Sequence, residues 1–155
     1  MPQKLIDGVR VKQLKVIPDE RGRLMEMLRR DDEVFIEFGQ TYLTTLFPGV
    51  TKAWHYHKLQ HDHFVCVRGM IKLVLYDERE GSQTKGLVNE FFLGDHSTQL
   101  VQIPPDVWHG FKNIGETESL IVNVVTRPYD AGQPDEYRLD QHQNHIPYSW
   151  ARRDG

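Results

Sequence analysis

Cysteine is nearly missing from this 155-residue chain. Cys66 stands alone, so no internal disulfide is possible, and its setting in Phe64-Val-Cys-Val67 reads as that of a small buried hydrophobe. Long apolar runs are missing too. None approaches the roughly 20 residues that carry a helix across a bilayer. The opening Met1-Pro-Gln-Lys4 has no apolar stretch of the kind that begins a secretory leader, and a cytoplasmic location is expected. Neither sign of charge dominates: 19 Lys and Arg against 22 Asp and Glu leave a net −3. A basic nucleic-acid footprint is therefore excluded. No segment sustains a 3.6-residue apolar period, and only Asp31–Phe38 offers a short helix.

What the chain does have is a series of short apolar runs rich in Val, Ile, Leu, Thr and Tyr. They fall at Val9–Val16, Leu24–Leu28, Thr41–Leu46, Phe64–Val67, Ile71–Tyr76, Phe91–Leu93, Leu100–Ile103 and Leu120–Thr126. Turn chemistry separates them, as at Pro48-Gly49, Arg68-Gly69, Glu80-Gly81 and Gly94-Asp95. Many short strands with frequent turns predict one all-β domain built from antiparallel sheets, a sandwich or barrel. Its last part, about residues 130–155, reads as a polar tail.

Histidine is concentrated. Four histidines and an aspartate occupy the nine residues His55-Tyr-His57-Lys-Leu-Gln-His61-Asp62-His63, and His109 follows in Ile103-Pro-Pro-Asp-Val-Trp-His109-Gly-Phe. Imidazole titrates near neutrality and ligates metals, so packing alone is a poor account of such a cluster. On a strand His55 and His57 share one face, whereas His61 and His63 point away from Asp62, toward the surface or an interface. Two imidazoles, a carboxylate and a distant third imidazole suit either proton transfer or a facial metal site made of His55, His57, Asp62 and His109. The order Gly49-x5-His55-x-His57-x4-Asp62-x6-Gly69, followed by Pro104-x4-His109-x3-Asn113, resembles the two motifs of the cupin superfamily. That resemblance implies a double-stranded β-helix, the jelly roll of two antiparallel sheets. Asp62 stands where cupins usually carry Glu, and Asp106 where the second motif usually carries Gly.

A closer resemblance extends from Asp19 to Tyr129. Asp19-Glu-Arg21-Gly22-Arg-Leu-Met-Glu26, Asp77-Glu-Arg79-Glu-Gly-Ser82-Gln-Thr84-Lys-Gly86 and Gln102-Ile-Pro-Pro-Asp-Val-Trp-His109-Gly-Phe111 are similar to elements of the dTDP-4-dehydrorhamnose 3,5-epimerases. The resemblance implies epimerisation of a nucleotide-linked 4-keto-6-deoxysugar, dTDP-linked by analogy, through proton abstraction beside the keto group. It implies His55 as base, His109 supporting it, and no cofactor. Arg21, Glu26, Gln40, Lys52, His57 and Tyr129 fall with the substrate-binding set, and Glu26 at the position of a partner subunit's contact implies a homodimer. Asp62 takes the place of the family's enolate-stabilising lysine and joins the catalytic set. Val122 aligns with the family's general-acid tyrosine. The segment His55-Tyr-His57-Lys58-Leu-Gln-His61-Asp62 is also similar to the nucleotide-sugar 3,4-ketoisomerases, so carbonyl migration is a second implied chemistry. A metal-dependent cupin with one divalent ion is the third.

Overall fold

The computed structural model describes residues 3–154. Twelve strands form in chain order: β1 (Arg10–Gln13), β2 (Val16–Asp19), β3 (Gly22–Met25), β4 (Gln40–Leu46), β5 (Thr51–Tyr56), β6 (Asp62–Arg68), β7 (Met70–Asp77), β8 (Val88–Gly94), β9 (Gln99–Ile103), β10 (Val107–Asn113), β11 (Ser119–Val125) and β12 (Tyr137–Arg138). They make two five-stranded antiparallel sheets, ordered β1-β9-β6-β11-β4 and β12-β5-β10-β7-β8, with β2 and β3 as a separate hairpin. This is the all-β jelly roll that the motifs imply. Among the described residues there is no helix, and hence none long and apolar enough to cross a membrane.

Alternation along each strand explains the layers, because a side-chain period of two sends neighbours to opposite faces. Phe64 and Cys66 of β6, Ile71, Leu73 and Leu75 of β7, Phe111 of β10 and Ile121 of β11 meet in the space between the sheets. The intervening residues face outward and are covered in turn. Over the first sheet, Val65 and Leu100 pack beneath Leu14, Val34 and the flanking Met25, Met27 and Leu28. Over the second sheet, Trp54, Val74 and Trp108 pack beneath Ile146 and Trp150 from the C-terminal segment. That segment also adds β12 to the sheet edge, pairing Arg138 with His55.

Segment 31–38 is not helical but a run of turns. Its polar groups are engaged elsewhere. Asp32 pairs with Lys12 at 2.5 Å, and the Val34 carbonyl faces His63 Nε2 at 2.8 Å. Neither bond continues a helical ladder. The same cover corrects the surface reading of His63, which is fully buried, with its Nδ1 facing the Val124 carbonyl at 2.8 Å. His61 is half-buried.

Two backbone positions hold the histidine strands in place. Gly69 turns β6 into β7 at φ 79°, and a Cβ there would lie 2.6 Å from Ser119 Oγ, so glycine is required. Asp106, where the cupin motif carries glycine, adopts φ 60°, the left-handed region that Asp tolerates better than most residues. Its N–H donates to the His57 carbonyl at 2.7 Å, tying the loop before β10 to the end of β5.

Candidate active site

β5 and β10 lie side by side with His55 and His109 as register partners, and their rings are 6.2 Å apart between centroids. Both point into the mouth between the sheets, because their neighbours Trp54 and Trp108 fill the outer layer. His57, two residues on from His55, brings its ring to 5.4 Å from His109. Asp62 enters from the opposite sheet. It is 1% exposed, with Oδ2 at 3.6 Å from His57 Nε2 and 3.8 Å from His109 Nε2. Its other oxygen accepts from Gln60 Nε2 at 2.9 Å and Asn123 Nδ2 at 2.8 Å.

Backbone carbonyls fix the tautomers of two of these histidines. The His57 Nδ1–H donates to the Asp135 carbonyl at 2.5 Å, and the His109 Nδ1–H donates to the Val107 carbonyl at 3.1 Å. Both Nε2 atoms therefore face Asp62 Oδ2. Burial lowers the His109 pKa to about 4, against an opposing pull from Asp62. Burial also lowers that of His55, partly offset by the charge of Glu136. Both rings are free bases at neutral pH.

His57 also lines a cavity of about 740 Å³, so it stands where that cavity meets the cluster. Gln40 and Tyr129 are there as well, joined by a hydrogen bond from the Tyr129 N–H to Gln40 Oε1 at 2.7 Å. Lys58, which the ketoisomerase-like segment carried without a role, also lines it, with two residues that the apolar patterning and the motifs left unmarked: the cation Arg127, and Tyr137, whose ring lies 4.7 Å beneath Lys58 Nζ. Asn123 was also unmarked, although a lone amide inside the apolar run Leu120–Thr126 was a legible signal. The other sequence-derived positions lie apart in the chain. Arg21 sits at the exposed β2–β3 turn, paired with Asp19. Glu26 is exposed beside Arg29. Lys52 donates to Thr44 Oγ1 and the Thr45 carbonyl. Val122 pairs with Leu43 and Val65 on the face of β11 opposite to Asn123, so its side chain does not enter the mouth.

A jelly roll with imidazoles, a carboxylate and a cavity at one mouth defines a cupin of the sugar-epimerase type. The sequence matches the family described as Polysaccharide biosynthesis C-terminal domain over residues 17–137. It is 45% identical over 147 residues to the probable low-salt glycan biosynthesis epimerase Agl13 of Haloferax volcanii, covering 94% of each chain. The crystal structure of a dTDP sugar isomerase from Desulfovibrio desulfuricans G20 superposes with a TM-score of 0.90 at 37% identity, over 96% of this chain and 94% of that one. A dTDP-4-dehydrorhamnose 3,5-epimerase from Sulfolobus tokodaii gives 0.79 at 25% identity, over 94% and 85%. The chain belongs to this family of polysaccharide-biosynthesis proteins. It is a carbohydrate epimerase or isomerase.

Proposed function

We propose that the protein epimerises a nucleotide-linked 4-keto-6-deoxysugar, at one or both carbons beside the keto group, as a cytoplasmic homodimer. The observation that carries this reading is the imidazole of His55, its pKa lowered by burial, facing His109 in the mouth and followed two residues on by His57, which lines a cavity of nucleotide-sugar size. A base poised below neutral pKa can take the proton beside a carbonyl, and the resulting enolate needs nearby donors or cations. Asp62 orients the cluster from the facing sheet, and His109 backs His55. Lys58 and Arg127 supply positive charge for a diphosphate, and the rings of Tyr129 and Tyr137 offer stacking surface for a base. Names of relatives support the substrate class: the Desulfovibrio structure is a dTDP sugar isomerase. The rim of the first sheet supports self-association, since β4 is an edge strand bearing exposed Leu43, with exposed Phe47 just beyond it.

The test is incubation with dTDP-4-keto-6-deoxyglucose in deuterated water, followed by NMR. Deuterium at C3 and C5 with inversion is expected of a double epimerase, and at C3 alone of a single one. Deuterium at C4 with the carbonyl moved to C3 would assign ketoisomerisation instead. No incorporation at any position refutes proton abstraction.

One observation favours a second reading. A ring nitrogen each of His57 and His109 and a carboxylate oxygen of Asp62 lie within 4.8 Å of one another, and with each Nδ1 turned to a backbone carbonyl it is the Nε2 atoms that face that oxygen. A divalent cation fits that donor set, with His55 as a further neighbour. When bound it would polarise the keto oxygen as a Lewis acid. Metal analysis of freshly purified protein decides: about one ion per chain, lost in His57→Ala, is the result expected of the metalloenzyme.

A further inference from the structure

Inversion at carbon needs a proton donor on the face opposite the base, and Tyr42 is placed to be one. Tyr42 pairs in register with Asn123 across β4 and β11, and cross-strand partners share a face. Asn123 is fully buried and points into the mouth, where it meets Asp62. Tyr42 therefore points inward too, and it lines the cavity with His57. The amide orientation of Asn123 is fixed: its Oδ1 accepts from the His63 N–H at 3.0 Å. Its Nδ2 then donates both protons, one to Asp62 and one to the Tyr42 hydroxyl oxygen at 2.8 Å. With that oxygen already accepting, the phenolic proton is left to point elsewhere.

We propose that Tyr42 is the general acid of this enzyme, delivering a proton to the enolate from the first sheet while His55 removes one from the second. This rests on the proton-abstraction reading above. The C–H bond beside the carbonyl breaks, His55 takes the proton, and the electron pair moves onto the carbonyl oxygen. The pair then returns to carbon, which bonds the Tyr42 proton on the other face and leaves a phenolate. Solvent in the open cavity reprotonates the phenolate and accepts the proton held by His55, so charge and protons balance over one turnover. Burial, with the nearby Asp62 charge, pushes Tyr42 up to about 12, so the hydroxyl carries its proton at neutral pH. The residue is 39% exposed while its hydroxyl reaches a buried amide, as suits a group that meets substrate on one side and the protein on the other. Among the other cavity phenols, Tyr129 is 65% exposed, and Tyr137 stacks on Tyr56.

Tyr42→Phe tests this, because Asn123 keeps its bonds to Asp62 and His63 without the hydroxyl. In deuterated water with dTDP-4-keto-6-deoxyglucose, the variant should still wash deuterium into the carbon beside the keto group with retained configuration, within about 3-fold of the parent rate. The epimerised product should fall by at least about 100-fold, the scale of a lost general acid. Epimer formed at the parent rate overturns the assignment, and so does a parallel loss of exchange and epimer, which would mark a role in binding or packing. A parent that epimerises beside an unimpaired variant refutes Tyr42 alone. A parent showing no exchange refutes the proton-abstraction reading and this inference with it.

Discussion

Asp62 and Asp77 are both buried carboxylates, 1% and 0% exposed, and their surroundings could hardly differ more. Asp77, at the end of β7, accepts from Arg79 Nε at 2.9 Å, Arg79 Nη2 at 3.0 Å, Ser82 Oγ at 2.6 Å, Thr84 Oγ1 at 2.6 Å and the Arg79 N–H at 3.1 Å. Burial pushes its carboxyl up, but these donors outweigh burial and hold it well below the usual carboxylate range. Asp62 has two amide donors on one oxygen and faces two imidazole Nε2 atoms with the other. A buried charge whose acceptor sites are all matched fixes a loop. One left with an oxygen matched only by two imidazoles at 3.6 and 3.8 Å is held ready for a proton or a cation.

Substitutions should separate the two. Asp77→Ala strands Arg79 and two hydroxyls, and chemical denaturation should show a loss of about 3–5 kcal/mol, with the surviving folded fraction retaining its turnover. Acid should then single out the mouth. An unfolded histidine takes up its proton near pH 6.5, but His109 in the fold does so only at about 4. Stability contributed by this group is thus complete above about 6.5 and declines as pH falls toward 4, by about 3 kcal/mol in all. His109→Gln should flatten that slope in denaturation series run across the interval. Asp62→Asn should alter unfolding free energy by no more than about 1 kcal/mol while cutting turnover about 100-fold or more. Equal destabilisation by Asp62→Asn and Asp77→Asn would break the contrast. The smallest effect concerns His55, whose lowered pKa places the acid limb of kcat/KM below 6.5. Glu136 opposes that lowering, so Glu136→Gln should move the limb further toward acid.

Much of this arrangement was legible in the chain. The β-only architecture followed from short apolar runs and turn residues, and the His55–His109 pairing from two motifs. The strands bearing those histidines were not among the apolar runs, because β5 and β10 place imidazoles on one face and Trp54, Tyr56 and Trp108 on the other. Neither alternation nor composition marks such a strand. His63 read as exposed because strand parity says which way a side chain points, not what segment will later cover that face. Tyr42 was silent for a related reason: only the register of β4 against β11 turns it toward Asn123. Val122, chosen by alignment, falls one residue out of that phase.

The Trp54–Trp150 contact, 5.0 Å between ring centroids, has one further consequence. Trp54 precedes His55, and its backbone N–H and carbonyl are both bonded to Leu139. The final stretch of chain thus serves as a back-plate against which His55 is braced. Trimming or tagging it close to Trp150 would loosen His55 from behind while leaving every mouth residue in the sequence.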